Sequence, residues 1–173
     1  MKSTKKLFDL TDKVAIITGS SKGIGLGIAS AFAEYGAHVV ISSRSQDSVD
    51  IAAKELSQKG YSIMPQACHV ADEIQQENLV NKTLDKFGGI DILVNNAGVT
   101  LAGKPGEIPL NDWRWIVDIN LMGVVYGVET FVPLIQAHKE GGHIINTASM
   151  AGHLAAPAMS PYNATKFAVV GYS

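Results

Sequence analysis

A single cysteine, Cys68, stands among 173 residues, so no disulfide can close within the chain. A lone thiol suits a reducing cytosol, and Cys68 itself reads most simply as a small buried hydrophobe. Charge is sparse: charged residues make up 17% of the chain and the net charge is −2, which argues against nucleic acid as a bulk electrostatic partner. No run reaches the ~18 consecutive apolar residues that a membrane span requires. The basic start, with Lys2, Lys5 and Lys6, leads into no apolar segment, so it does not read as a signal peptide. Low-complexity stretches, linkers and fixed-period repeats are absent. His69 has no clustered ligand-type neighbours, which argues against a metal site there.

What is present is apolar and alternating. Apolar residues make up 46% of the chain, enough for one sizeable core. The pattern predicts strands near 13–18, 38–42, 62–68, 90–95 and 142–148. Helices are expected near 23–35, 46–59, 72–87, 112–138 and from about 161 onward. Val39-Val40-Ile41 and Ile92-Leu93-Val94 are apolar on both faces, as in a parallel sheet covered by helices on both sides. Right-handed crossovers then give a doubly wound α/β fold of Rossmann type, three-layer α/β/α. Residues 100–109, with Gly103, Pro105, Gly106 and Pro109, read as a loop, and Asn111 or Asp112 is expected to cap the long helix. Asp72 is expected to cap the helix before it. Trp113 and Trp115 read as core or interface aromatics.

Three motifs carry chemistry. The run Val14-Ala15-Ile16-Ile17 feeds Thr18-Gly19-Ser20-Ser21-Lys22-Gly23-Ile24-Gly25 and then an apolar helical segment. A glycine turn between strand and helix lets the backbone approach a pyrophosphate, and the helix start offers free N–H groups and a positive dipole end. Second, Ile90-Asp91-Ile92-Leu93-Val94 ends in Asn95-Asn96-Ala97-Gly98, at the carboxyl edge where open α/β sheets place ligands. Asn95 is expected to tie its strand to a neighbour. Third, Tyr162 and Lys166 stand four apart on a helix, one above the other. A phenol titrating near ~10 becomes a useful base only when a cation favours its charged form.

In this order and spacing, Thr18 to Gly25, Asn95 to Gly98, Asn120, Ser149, Tyr162 and Lys166 resemble the short-chain dehydrogenase/reductase family across almost the whole chain. The resemblance implies a single NAD(P)-binding Rossmann domain over residues 1–173. It implies a Ser-Tyr-Lys(-Asn) site that interconverts an alcohol and a carbonyl by hydride transfer. Tyr162 would be the general acid/base, with Lys166 favouring its phenolate and bonding the nicotinamide ribose. Ser149 would orient the substrate oxygen, against the alternative of a hydroxyl capping a turn. Asn120 would hold a water in a proton relay to Lys166, and a buried structural amide is compatible with that role. The implied cofactor residues are Gly19, Ser21, Lys22, Gly23, Ile24, Gly25, Ser43, Arg44, His69, Val70, Asn96, Ala97 and Gly98, with Tyr162 and Lys166 at the reactive end.

The second strand ends in Ile41-Ser42-Ser43-Arg44, without the acid that usually bonds the adenosine ribose hydroxyls of NAD. Lys22 and Arg44 can embrace a 2′-phosphate, with Ser43 as a donor, so NADP is expected and NAD is the alternative. Otherwise the two cations are simply solvated. After the third strand, Cys68-His69-Val70 puts a histidine where the family pattern has an acid that accepts from the adenine amino group. A neutral imidazole can still accept at one nitrogen.

The resemblance also implies further strands after the Tyr-Lys helix, so the domain is expected to be incomplete at its C-terminus. The strand at 143–148 is then expected to have an open edge, and Phe167, Val169 and Val170 an exposed face, favouring a homo-oligomer. The apolar stretch 150–158 points to a hydrophobic small-molecule carbonyl or alcohol. The rival is a catalytically incompetent nucleotide-binding or interaction module.

Overall fold

The computed structural model describes residues 7–137 and 141–173. Along the chain run β1 (Val14–Thr18), α1 (Gly23–Glu34), β2 (His38–Ser43), α2 (Gln46–Ser57), β3 (Ile63–Ala67) and α3 (Glu73–Phe87). They are followed by β4 (Ile92–Asn95), α4 (Leu110–Val117), α5 (Gly123–Ala137), β5 (His143–Asn146) and α6 (Ser160–Tyr172). The strands form one parallel sheet in the order β3-β2-β1-β4-β5, with Ile17 opposite both Ile41 and Val94. The chain leaves β1 towards β2 on one side and later returns to place β4 on the other. That reversal opens a crevice between the ends of β1 and β4, where doubly wound sheets bind ligands.

Alternation of side chains along the strands builds two apolar layers. Ala15, Ile17, Val39, Ile41 and Val94 face Ala29 and Ala33 of α1 and Val49, Ala52 and Leu56 of α2. Ile16, Val40, Met64 and Leu93 face Leu79 and Val80 of α3 and Phe131 and Ile135 of α5. The small alanines of α1 let that helix lie close on the sheet directly behind the glycine turn. Pro65 is tolerated inside β3 because that strand is at the sheet edge.

Several local expectations are corrected. Neither Asn111 nor Asp112 caps the long helix: it begins at Leu110 after Pro109, with no side-chain cap, and the Asn111 amide oxygen instead accepts from Arg114. The first turn closes on the main chain instead, with the Asp112 and Trp113 N–H groups donating to the Pro109 carbonyl at 3.0 and 3.2 Å. The helix expected over 112–138 is interrupted by a π turn at Asp118–Met122, which separates α4 from α5; residue 138 lies outside the described residues. By length and composition Leu110–Ala137 is apolar enough to cross a membrane, although it contains no unbroken apolar run of that length. Here α5 packs against α3 and β4, and α4 against α6. Asp72 does cap α3, its carboxylate accepting from the Gln75 N–H at 3.1 Å.

At the other end of the sheet the open edge is present. Among the described residues no strand pairs with the outer side of β5, and Ile145 is 45% exposed. On α6, Phe167 is exposed but Val169 is fully buried, contrary to expectation. Helix α6 is covered jointly by the 3₁₀ turn Met150–Gly152, the π turn and α4, and Val170, half-buried, lies against the 3₁₀ turn at Gly152.

Candidate cofactor cleft and active site

The glycine turn and the β4 loop are built as one piece. Thr18 sits at the end of β1, and its Oγ1 accepts from the N–H groups of Asn96 and Ala97, each at 3.0 Å. Asn96 answers by donating its amide to the carbonyls of Thr18 at 2.9 Å and Gly19 at 3.3 Å. Gly19 has φ +66°, and a Cβ there would lie 2.8 Å from the Ala97 Cα. At Gly25 a Cβ would meet the Gly19 carbonyl oxygen at 2.5 Å and the Asn96 amide nitrogen at 2.6 Å. Only glycine lets the helix start press this closely on the loop. Helix α1 carries no acidic residue in its first turn and no side-chain cap, which leaves its N–H groups available to an anion.

Above this junction lies an open cleft of about 470 Å³. Every nucleotide-binding residue expected from the sequence, apart from Tyr162 and Lys166, lines it: Gly19, Ser21, Lys22, Gly23, Ile24, Gly25, Ser43, Arg44, His69, Val70, Asn96, Ala97 and Gly98. Lys22 and Arg44 are exposed, and among the described residues neither makes an ion pair. Cys68 also lines the cleft, and burial, aided by the charge of Asp72, pushes its thiol up to about 12. Hydrogen bonds from Gln75 hold the Asp72 carboxyl below its ordinary range. His69 is anchored by local hydrogen bonds: its N–H donates to Gln75 Oε1 at 2.9 Å, and its Nδ1 accepts from the Ala71 N–H at 3.3 Å. An accepting nitrogen of the ring is thus engaged by the main chain.

The second group of residues stands where β4, the π turn and α6 meet. Asn120 lies in the π turn and is buried, with its oxygen accepting from the Val99 N–H at 2.8 Å. Its amide nitrogen donates to the Val99 carbonyl at 2.9 Å and to Thr165 Oγ1 at 3.2 Å. Lys166 is only 5% exposed, and its Nζ donates to the Thr147 carbonyl at 2.7 Å. Burial lowers the pKa of its ammonium from the ordinary lysine value. Gly98 connects this group to the cleft, since a Cβ there would lie 3.4 Å from Asn120 Oδ1 and 3.8 Å from Lys166 Nζ. The Tyr162 ring lies below that ammonium, 5.8 Å from Nζ to the centroid. Among the described residues its hydroxyl has no hydrogen-bond partner.

Ser149 follows β5 and caps the 3₁₀ turn, its oxygen accepting from the Ala151 N–H at 3.1 Å. The turn-capping alternative is thus realised, and the hydroxyl proton is left free to donate outward. The turn is seated on α6, because a Cβ at Gly152 would fall 2.7 Å from the Lys166 carbonyl oxygen.

Some participants are not evident in the sequence reading. Ser45, Ser48, Val99 and Ile119 line the cleft. Asn163 is buried and grips the main chain of Ala156 with both amide atoms, at 2.7 and 3.2 Å, fixing the segment between Ser149 and Tyr162. An amide beside a helical tyrosine is the only signal that could have pointed to it. As expected, Asn95 donates to Asn146 Oδ1 at 2.9 Å and ties β4 to β5.

Residues 13–173 match the model of the family described as short chain dehydrogenase. A protein described as CLA biosynthesis dehydrogenase/reductase, from Lactiplantibacillus plantarum, is 37% identical over 94% of this chain and 57% of its own length. Dehydrogenase/reductase SDR family member 4 from Oryctolagus cuniculus is 42% identical over 94% of this chain and 62% of its own. The chain therefore spans about three fifths of the length of these curated relatives. A short chain dehydrogenase/reductase from Burkholderia phymatum, solved with NAD, superposes with a TM-score of 0.93 at 36% identity, over 95% of this chain and 58% of that one. A gluconate 5-dehydrogenase from Burkholderia cenocepacia J2315, solved with NADP and tartrate, gives 0.92 at 33% identity, over 98% and 66%.

Proposed function

Because the chain belongs to the short-chain dehydrogenase family, we propose that it is an oxidoreductase interconverting an alcohol and a carbonyl with NADP(H). The observation that carries this reading is the conjunction at Gly98, where the cleft meets Asn120 and a buried Lys166 beside a Tyr162 whose hydroxyl is free. The cofactor, when bound, supplies or accepts the hydride. Tyr162 gives or takes the proton on the substrate oxygen, and Lys166 holds positive charge next to the phenol. Ser149 donates to the same substrate oxygen with the proton that its turn leaves free. Asn120, bonded to Val99 and to Thr165, ties the π turn to the helix that carries Lys166. The glycine turn suits a pyrophosphate because the space is shaped by missing Cβ atoms and by open helix N–H groups.

NADP is favoured over NAD because Lys22 and Arg44 border the cleft without ion-pair partners, and no acid stands at the end of β2. A small carbonyl or alcohol of apolar character fits the exposed Met150 and Leu154 of the segment held by Asn163. Cytosolic placement suits the lone thiol of Cys68. Association of copies through β5 suits its open, apolar edge. The second reading, a nucleotide-binding or interaction module without turnover, draws on that same open edge of β5.

Turnover of a panel of aldehydes and ketones with NADPH, by the parent chain and Tyr162→Phe, separates the two. The oxidoreductase reading expects parental turnover and a loss of ~10²–10⁴ in rate in the variant, with cofactor affinity retained. Cofactor binding without parental turnover favours the module. Near-parental activity in Tyr162→Phe removes Tyr162 from the chemistry.

A further inference from the structure

Under the reading above, hydride chemistry occurs at the Lys166 end of the cleft, across β1 from the ends of β2 and β3. The adenosine half of the cofactor then falls at the other end, among Arg44, Ser48, His69 and Val70. His69 is held firmly there. Its backbone N–H is bonded to Gln75 Oε1, and Gln75 is itself tied to the Asp72 carboxylate by its main-chain N–H at 3.1 Å and its side-chain Nε2 at 2.7 Å. The ring nitrogen Nδ1 accepts from Ala71 N–H. A neutral imidazole has one accepting and one donating nitrogen, so its proton sits on Nε2 and the group left for a ligand is a donor.

We propose that His69 turns the base subsite into a donor-presenting one, which seeks an acceptor on the purine instead of reading its exocyclic amine. This inference rests on the placement of adenosine just given. Adenine offers ring nitrogens as acceptors, and hypoxanthine offers an oxygen at position 6 as well. An acid at residue 69 would accept from the adenine amine and repel that oxygen. The imidazole N–H suits both bases, so the subsite discriminates little at the 6-position.

Titrating the 173-residue chain with NADPH and with its hypoxanthine (deamino) analogue, by nicotinamide fluorescence, tests this directly. The expected dissociation constants agree within about threefold, and His69→Asp shifts their ratio by about tenfold or more towards adenine. Long-range ¹H–¹⁵N spectra of the parent should show the proton of the His69 ring on Nε2, a result independent of whether the variant folds. Rejection of the analogue by the parent by about tenfold or more, an unchanged ratio in a folded His69→Asp, or a proton on Nδ1 overturns the proposal. Failure of NADPH itself to bind overturns the cofactor reading instead, and is seen before the base comparison is made.

Discussion

Two glycines two positions apart, Gly25 and Gly27, should respond to alanine in opposite directions. At Gly25 the added Cβ would lie 2.5 Å from the Gly19 carbonyl oxygen, 2.6 Å from Asn96 Nδ2 and 2.8 Å from the Ser20 Cα. Two of these atoms are backbone, and the third is anchored by its bond to the Thr18 carbonyl at 2.9 Å. None can retreat cheaply, so the helix start must lift from the loop. Overpacking of this kind costs ~1–3 kcal/mol, against which alanine's better helix propensity returns ~0.5–1 kcal/mol. At Gly27, within α1, nothing lies within 4 Å of the added Cβ, and only the propensity gain applies. Gly27→Ala should therefore stabilise by ~0.5–1 kcal/mol, which in a domain of this size raises Tm by roughly 1–4 °C. Gly25→Ala should lower Tm and, under the proposed function, also impair nucleotide binding, because it displaces the uncapped N–H groups at the start of α1. Thermal melting and NADPH titration of both variants decide the matter. Gly25→Ala melting as high as Gly27→Ala with parental NADPH affinity would refute the close approach.

Three other perturbations follow from named contacts. Arg44→Asp should weaken NADPH by ~1.5–3 kcal/mol, the range of a lost charged hydrogen bond, and leave NADH unweakened; equal affinities unaffected by the change would remove the basis for NADP. Burial lowers the Lys166 pKa, so its folded form carries the full penalty of a buried charge at low pH, and the penalty is relieved as pH rises through the folded value towards the ordinary 10.5. The stability of the parent relative to Lys166→Met should thus improve on going from neutral to alkaline pH in denaturant melts, and a change of the opposite sign contradicts the burial. Ile145→Lys, on the open edge of β5, should lower self-association in sedimentation; a parent that stays monomeric at every concentration shows that the edge does not pair.

The strands and the cleft were legible because they rest on local pattern. β-branched runs such as Val14-Ala15-Ile16-Ile17 end at glycine or asparagine turns, and the backbone needs of a pyrophosphate select the same glycines. The less legible features depend on partners far along the chain. The apolar spacing through Asp118–Met122 continues without a break, so nothing local marks the π turn that buries Asn120 against Thr165. Val169 looks exposed until α6 is packed against α4, the π turn and the turn at Met150–Gly152. At His69 the residue type alone leaves either ring nitrogen free to accept, and only the fold commits Nδ1 to Ala71. Asn163 shows the same limit, since its grip on Ala156 is invisible in residue spacing.

The central claim, hydride transfer at Tyr162 and Lys166, is met most directly by isotope transfer. The chain is incubated with NADPH deuterated at the transferring face of nicotinamide C4 and with an apolar ketone, and the alcohol is analysed by mass spectrometry. The account predicts an alcohol one mass unit heavier with deuterium on the carbinol carbon, formed by the parent and strongly diminished in Tyr162→Phe. A product without deuterium at that carbon, or a labelled product formed equally well by Tyr162→Phe, contradicts it.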